Sequence, residues 1–226
     1  MPMIKHVVIV AGGKGKRMKS SVPKQFMLLN GKPVLMHTIM LFQDLAYQEG
    51  KIILVLPNNQ LAEWKSLCEY YSFSIPHTTV AGGKERFFSV KNGLKTLDTG
   101  DVVAIHDGVR PGAAPEVIEN CFRIAYEKGS AIPVIPVNES MRKFNGQFSQ
   151  PVNRSEYLLV QTPQTFRLKE IKSAYEYPYS PEFTDDASVY EASGKNVHLV
   201  KGNKNNIKIT EPSDLVFMQY LKKQKS

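Results

Sequence analysis

Three groups of residues in this chain of 226 have the types and spacing to handle phosphate. The first is Ala11-Gly12-Gly13-Lys14-Gly15-Lys16-Arg17-Met18, followed by Pro23-Lys24-Gln25-Phe26. Glycines let backbone N–H groups approach an anion closely, and Lys14, Lys16, Arg17 and Lys24 add positive charge. Taken alone, the stretch reads equally well as a basic surface turn. The second group is His106-Asp107-Gly108-Val109-Arg110-Pro111. A carboxylate after an apolar run suits a divalent cation, because Mg²⁺ is commonly held by one or two carboxylates together with substrate phosphates. Asp107 by itself would more simply cap a turn; Arg110 and the basic glycine loop favour a ligand site. His106 is the next residue, so its side chain points to the opposite face and is read as structural. The third is Lys208, between Ile207 and Ile209 in a short strand expected from Asn205 to Thr210. It is either a surface lysine or a partly buried one with a phosphate or carboxylate partner.

Some chemistries are missing from the sequence. Arg17 and Met18 stand where a Gly-x-Gly-x-x-Gly fingerprint needs its third glycine, and neither the Walker lysine-serine pattern nor Gly-x-Ser-x-Gly occurs. No His/Cys cluster suggests zinc, and Cys68 and Cys121 lack metal or redox spacing. They are read as reduced core residues. What is left is backbone amides, cations and a metal, with no protein nucleophile. That set suits phosphoryl or nucleotidyl transfer, which rests on positioning and charge stabilisation.

Such residues need a scaffold. Ile4–Val10, Lys51–Leu56, His77–Ala81, Val102–Ile105 and Ala131–Val137 read as buried strands. Between them lie helical patterns over Val34–Leu45, Leu61–Tyr71 (capped by Asn58 or Asn59), the segment opening at Lys84 with Val90, Leu94 and Leu97 on one side, and Pro115–Lys128. Strand and helix therefore alternate, the signature of a mostly parallel, three-layer α/β sheet. Ligands sit at the carboxyl ends of such strands, and the glycine loop and Asp107 fall there. Residues 138–160 break the pattern with an extended hairpin, Met141–Phe144 and Phe148–Val152 around Asn145-Gly146. A projecting arm with apolar tips wants a partner, so a homodimer is expected. Helices then follow over Leu168–Tyr177, from a cap at Thr184 or Asp185, and from Pro212 to Leu221. One domain, 1–226, with 138–160 as its arm, accounts for the chain.

The net charge of +8 permits a nucleic-acid partner, but the basic residues are scattered and not interleaved with aromatics. No segment approaches the roughly 20 apolar residues that span a bilayer, and no leader pattern precedes the first strand. A cytoplasmic enzyme that binds neither nucleic acid nor membrane is expected.

The same groups, taken in order, resemble a known family. Ala-Gly-Gly-x-Gly-x-Arg-Met with Pro-Lys-Gln-Phe, Gly82-Gly83 with Arg86 and Ser89, and His-Asp-x-x-Arg-Pro are similar to motifs of the small cytidylyltransferases. Thr162-Pro163-Gln164, Thr184-Asp185-Asp186-Ala187-Ser188 and Asn206-Ile207-Lys208-Ile209-Thr210 extend the likeness to the 2-C-methyl-D-erythritol 4-phosphate cytidylyltransferases of the non-mevalonate isoprenoid pathway. The resemblance implies a Rossmann-like sheet of the nucleotide-diphospho-sugar transferase type. It implies CTP on Ala11, Gly12, Gly13, Gly15, Gly82, Lys84, Ser89 and Gly108, with Arg17, Lys24 and Lys208 acting on the phosphates. Asp107 takes the Mg²⁺ position and also borders the acceptor, with Arg110, Thr162 and Thr184. Ser140 and Arg154 match residues that reach a neighbouring subunit's substrate. Lys84 replaces a frequent Asp, Gly108-Val109 a frequent Ala-Ala, and Glu139-Ser140 a frequent Asp-Thr. Ribitol 5-phosphate is the alternative acceptor; the Thr-Asp-Asp-Ala-Ser stretch and Arg154 favour methylerythritol phosphate.

Overall fold

Lys5–Val10, Ile52–Leu56 and Val102–Asp107 are apolar almost throughout, as strands covered on both faces must be. They form the centre of a sheet in the computed structural model, which describes residues 3–12, 18, 22–46 and 48–224. In chain order the strands are β1 (Lys5–Val10), β2 (Leu28–Leu29), β3 (Lys32–Pro33), β4 (Ile52–Leu56), β5 (Thr78–Ala81) and β6 (Val102–Asp107). Then come β7 (Ser130–Pro136), β8 (Met141–Phe144), β9 (Ser149–Val152), β10 (Leu158–Val160), β11 (Gln164–Arg167) and β12 (Leu199–Lys201). The helices are α1 (Val34–Met40), α2 (Gln43–Ala46), α3 (Leu61–Tyr70), α4 (Arg86–Lys95), α5 (Pro115–Lys128), α6 (Leu168–Ala174), α7 (Asp186–Ala192) and α8 (Pro212–Lys223).

Among the described residues the main sheet runs β10-β7-β11-β6-β1-β4-β5, with β12 beside β7. β6, β1, β4 and β5 are mutually parallel; β11 is antiparallel to both β6 and β7. Side chains alternate across the strands and sort into two cores. Val7, Ile9, Ile52, Leu54, Val102 and Ala104 pack with α1, α3 and α5. Val8, Ile53, Val55, Val103 and Ile105 face the other way and pack with α4, α6 and α7. The three-layer α/β architecture is therefore as expected.

Several local expectations change. The single helix expected over Val34–Leu45 divides into α1 and α2, with Leu41 and Phe42 between them. Neither Asn58 nor Asn59 caps α3: both lie in a 3₁₀ turn, and the residue before the helix is Gln60, whose side chain makes no cap bond. Asn205–Thr210 is not a strand: no ladder forms, and Ile209 N–H instead reaches Val109 O at 2.9 Å. β11 was not foreseen; it wedges between β6 and β7. The β8–β9 hairpin is present, but β10 belongs to the main sheet through β7 and not to the arm.

Candidate active site

β6 brings Asp107 to the carboxyl edge of the sheet, next to the end of β1, where Val10 pairs with Asp107. Asp107 is only 7% exposed, yet it borders a cavity of about 430 Å³. Arg110 Nε donates to its Oδ2 at 2.9 Å, and Lys208 Nζ lies 3.2 Å from the same oxygen. Burial by itself would raise the Asp107 pKa; Lys208, Arg86 and Arg110 outweigh it and hold the carboxyl well below the usual carboxylate range. The site thus holds a permanent carboxylate among cations.

His106 points to the other side, as expected, and is fully buried against Phe42. Burial depresses its imidazole to about 4, so the ring is neutral near pH 7. Its Nε2 faces the Arg110 carbonyl at 3.0 Å, an acceptor only, so Nε2 carries the proton. Nδ1 then accepts from the Thr162 hydroxyl at 3.0 Å.

Lys24 stands on a 3₁₀ turn, Lys24–Phe26. Gln25 Nε2 ties that turn to Ala11 O at 2.9 Å and to Gln60 Oε1 at 2.6 Å. Phe26 stacks on Trp64, whose ring centroid is 6.1 Å away. Lys24 Nζ donates to Ile209 O at 3.3 Å, so the lysines of two distant segments meet on one wall. Gly108 lies behind Ala11: a Cβ there would come within 2.7 Å of the Ala11 Cβ, so the glycine lets the two strand ends close up.

The opposite wall is the β5–α4 turn. The Ser89 hydroxyl accepts from Gly83 N–H and donates to Glu85 O, both at 3.1 Å, which holds the turn in shape. Lys84 and Glu85 are exposed on it. Arg86, at the first turn of α4, makes a two-pronged contact with the fully buried Asp186, at 2.7 and 2.5 Å. The Tyr175 hydroxyl donates to the same carboxylate at 2.6 Å. Burial opposes the Arg86 charge, but Asp186 more than restores it and raises its pKa.

Of the expected site residues, Ala11, Gly12, Lys24, Lys84, Ser89, Asp107 and Lys208 line the cavity. Gly82 sits against Ser89, and Arg110 holds Asp107. Gly13, Gly15 and Arg17, with Lys14 and Lys16, lie outside the described residues. Thr162 is just behind the wall, its hydroxyl accepting from Asp107 N–H at 3.1 Å. Thr184, Ser140 and Arg154 are exposed and do not line the cavity. Arg154 donates to Asn138 O on the arm. Gln25, Glu85 and Arg86 join the wall without having been singled out as site residues; the Gly-Gly-x-x-Arg spacing was the visible sign of Arg86.

Among the described residues no three His, Cys, Asp or Glu side chains gather as a protein-only metal site would. A single buried carboxylate beside a cavity lined by Lys24, Lys84, Arg86 and Lys208 fits Mg²⁺, which takes its other ligands from phosphate and water. Both cysteines are unpaired, and burial pushes Cys68 up to about 11 and Cys121 to about 12, too high for a thiolate nucleophile.

Fold and site together define a class: an α/β transferase that works on phosphate groups at the carboxyl ends of parallel strands. A model of the family described as 2-C-methyl-D-erythritol 4-phosphate cytidylyltransferase (IspD) matches residues 5–224. The enzyme of that name from Bacteroides thetaiotaomicron is 51% identical over 215 residues, covering 94% of this chain and 97% of its own. That from Bacillus pumilus is 39% identical over 218 residues, covering 95% of each. The crystal structure of the Thermus thermophilus enzyme superposes with a TM-score of 0.80 at 27% identity, over 99% of this chain and 100% of that one. The chain belongs to the 2-C-methyl-D-erythritol 4-phosphate cytidylyltransferase family. It is a CTP-dependent nucleotidyltransferase.

Proposed function

We propose that Asp107, Lys24 and Lys208, with Arg17 of the glycine-rich sequence motif, carry the transfer of the cytidylyl group from CTP to 2-C-methyl-D-erythritol 4-phosphate. The products are 4-diphosphocytidyl-2-C-methyl-D-erythritol and pyrophosphate. A phosphate monoester is already a dianion near neutral pH, its second pKa being about 6, so the nucleophile needs no general base. The buried neutral His106 agrees with that. What opposes attack is repulsion between this dianion and the triphosphate, and the cationic wall relieves it. Asp107 would hold Mg²⁺, which supplies charge neutralisation at the phosphates.

The glycine-rich motif from Ala11 to Gly15 is assigned to the triphosphate by its sequence and by the place of Ala11 and Gly12 on the cavity wall, with Gly82, Lys84, Ser89 and Gly108 assigned to the nucleoside end. Arg110, Thr162 and Thr184 border the acceptor. Ser140 and Arg154 serve the site of a second copy, reached by the β8–β9 arm of a homodimer; their exposure and their absence from the lining of their own cavity support this. Two unpaired cysteines and phosphorylated metabolite substrates suit the cytoplasm. No helix among the described residues is long and apolar enough to cross a membrane.

The observation that carries this reading is the charged Asp107 held between Arg110 and Lys208 on the cavity wall. The test is pyrophosphate release from CTP and Mg²⁺ with methylerythritol phosphate or ribitol 5-phosphate as acceptor. Turnover with the first and none with the second is expected; the reverse pattern overturns the assignment.

A further inference from the structure

The residues that bear on the reaction are aimed by a closed ring of hydrogen bonds behind the cavity wall. Asp107 N–H donates to Thr162 Oγ1 at 3.1 Å, and that hydroxyl donates to His106 Nδ1 at 3.0 Å. His106 Nε2–H donates to Arg110 O at 3.0 Å, and Arg110 Nε returns to Asp107 Oδ2 at 2.9 Å. The ring encloses a tight turn, since Arg110 N–H also donates to Asp107 O at 3.1 Å. Asn206 braces it from outside: its Nδ2 donates to Thr162 O at 2.7 Å, and its carbonyl accepts Arg110 Nη1 at 2.8 Å. Lys208, the second cation on Asp107, is two residues from Asn206. Residues from three distant segments are thus joined, and the ring begins and ends on Asp107, through its N–H and its Oδ2.

We propose that His106, acting through the Thr162 hydroxyl and the Arg110 carbonyl, is a positioning residue that sets the Asp107 carboxylate for the cation. This rests on the reading of Asp107 as the cation's protein ligand. His106 does not touch substrate and moves no proton. Its ring bridges the backbone at both ends of the Asp107–Arg110 turn. Only one pattern of donors satisfies the ring: the Arg110 carbonyl can only accept, so Nε2 must donate and Nδ1 must accept. A side chain lacking that pair of opposite roles frees the turn, and the carboxylate turns with it.

The test compares CTP affinity by calorimetry, without acceptor, in Mg²⁺ and in EDTA. A merely structural defect weakens both equally; a misplaced carboxylate lowers the ratio between them. His106→Phe keeps the ring's bulk against Phe42 but removes both nitrogens, and Thr162→Val removes the hydroxyl at nearly constant shape. Both variants are expected to reduce the Mg²⁺/EDTA ratio by about tenfold, the scale on which partners of a ligating side chain act. Thr162→Ser, which keeps the hydroxyl, restores the parent ratio. If His106→Phe does not fold, the Thr162→Val and Thr162→Ser pair decides. A parent-like ratio in Thr162→Val overturns the proposal, as does one in a folded His106→Phe. Asp107→Asn is the control. If it also leaves the ratio unchanged, the reading of Asp107 has failed and the proposal falls with it; a reduced ratio there alone means that only the positioning role is wrong.

Discussion

Arg86 meets Asp186 across 100 residues of sequence, and the pair joins the β5–α4 turn to the start of α7. Asp186 is fully buried, and its carboxylate is met by both terminal nitrogens of Arg86 and by the Tyr175 hydroxyl. Asp186→Asn leaves Arg86 without its counter-charge and is expected to destabilise the fold by about 3 kcal/mol, read as a lower urea midpoint. Arg86→Lys will not restore the parent, because an ammonium cannot make the two-pronged contact. Lys24, on the cavity wall, is the residue proposed for the chemistry instead. Lys24→Ala is expected to lower kcat by about 10²-fold, the scale of losing one transition-state donor, with the urea midpoint close to the parent's. A near-parental kcat removes Lys24 from that role. The place of Lys24, Asp107 and Lys208 on one wall was legible in part: Asp107 ends an apolar run beside a glycine, Lys24 follows the basic glycine stretch, and Lys208 lies between two isoleucines. The partner of Arg86 was not, because a salt bridge between α4 and α7 leaves no local pattern.

Elements show the same division. β1, β4 and β6 lie within a residue or two of where the apolar runs put them, since burial on both faces demands continuous apolar residues, and α5 lies where its one-sided apolar spacing and Pro115 put it. β11 escaped notice: Gln164 to Arg167 carries two polar residues and one charge in four, and it is a strand only because β6 and β7 leave an antiparallel slot. Asn205–Thr210 erred the other way. Its apolar residues are used one at a time, Ile209 entering a small core with Met18, Leu29 and Met218, and not in a ladder. The arm is exposed where an isolated subunit would hide it: Phe144 is 68% exposed, Phe148 67%, and Leu159 of the neighbouring β10 52%. Sedimentation at micromolar concentration is expected to show a dimer, and Phe144→Ser with Phe148→Ser to shift it toward monomer. A parent sedimenting as a monomer would sink the assignment of the arm. Within the β6 approach, Gly100 has φ +132°, and a Cβ there would lie 2.2 Å from His6 Nε2. That ring is fixed by Thr99 O and the Lys51 N–H, so Gly100→Ala is expected to cost about 3 kcal/mol by urea denaturation.

At the scale of the whole molecule, stability is coupled to pH through histidines that the fold keeps neutral. Burial lowers the pKa of His6, against the help of the Thr99 carbonyl, and that of His37, against the Leu29 carbonyl. A group whose folded pKa is depressed binds protons more readily when unfolded. Its contribution is therefore complete above the unfolded value of about 6.5 and is lost as pH falls from there toward the folded value. The fully buried His106 acts in the same direction, so the urea midpoint should be lower at pH 5.5 than at pH 7.5; an unchanged midpoint would mean that none of the three rings is held neutral. The sequence by itself determined the layered α/β plan, the carboxyl edge of the sheet as the place where its motifs gather, and most of the charged residue types that line the cavity there. Periodicity and glycine placement are local properties, and local patterns survive in one dimension. Only the tertiary structure decided that Asp107 sits between Arg110 and Lys208, that Arg86 is pinned by Asp186, and that His106 and Asn206 close a ring behind them. Those arrangements depend on distances between segments 56 to 101 residues apart, which only the packing of the helices on the two faces of the sheet creates.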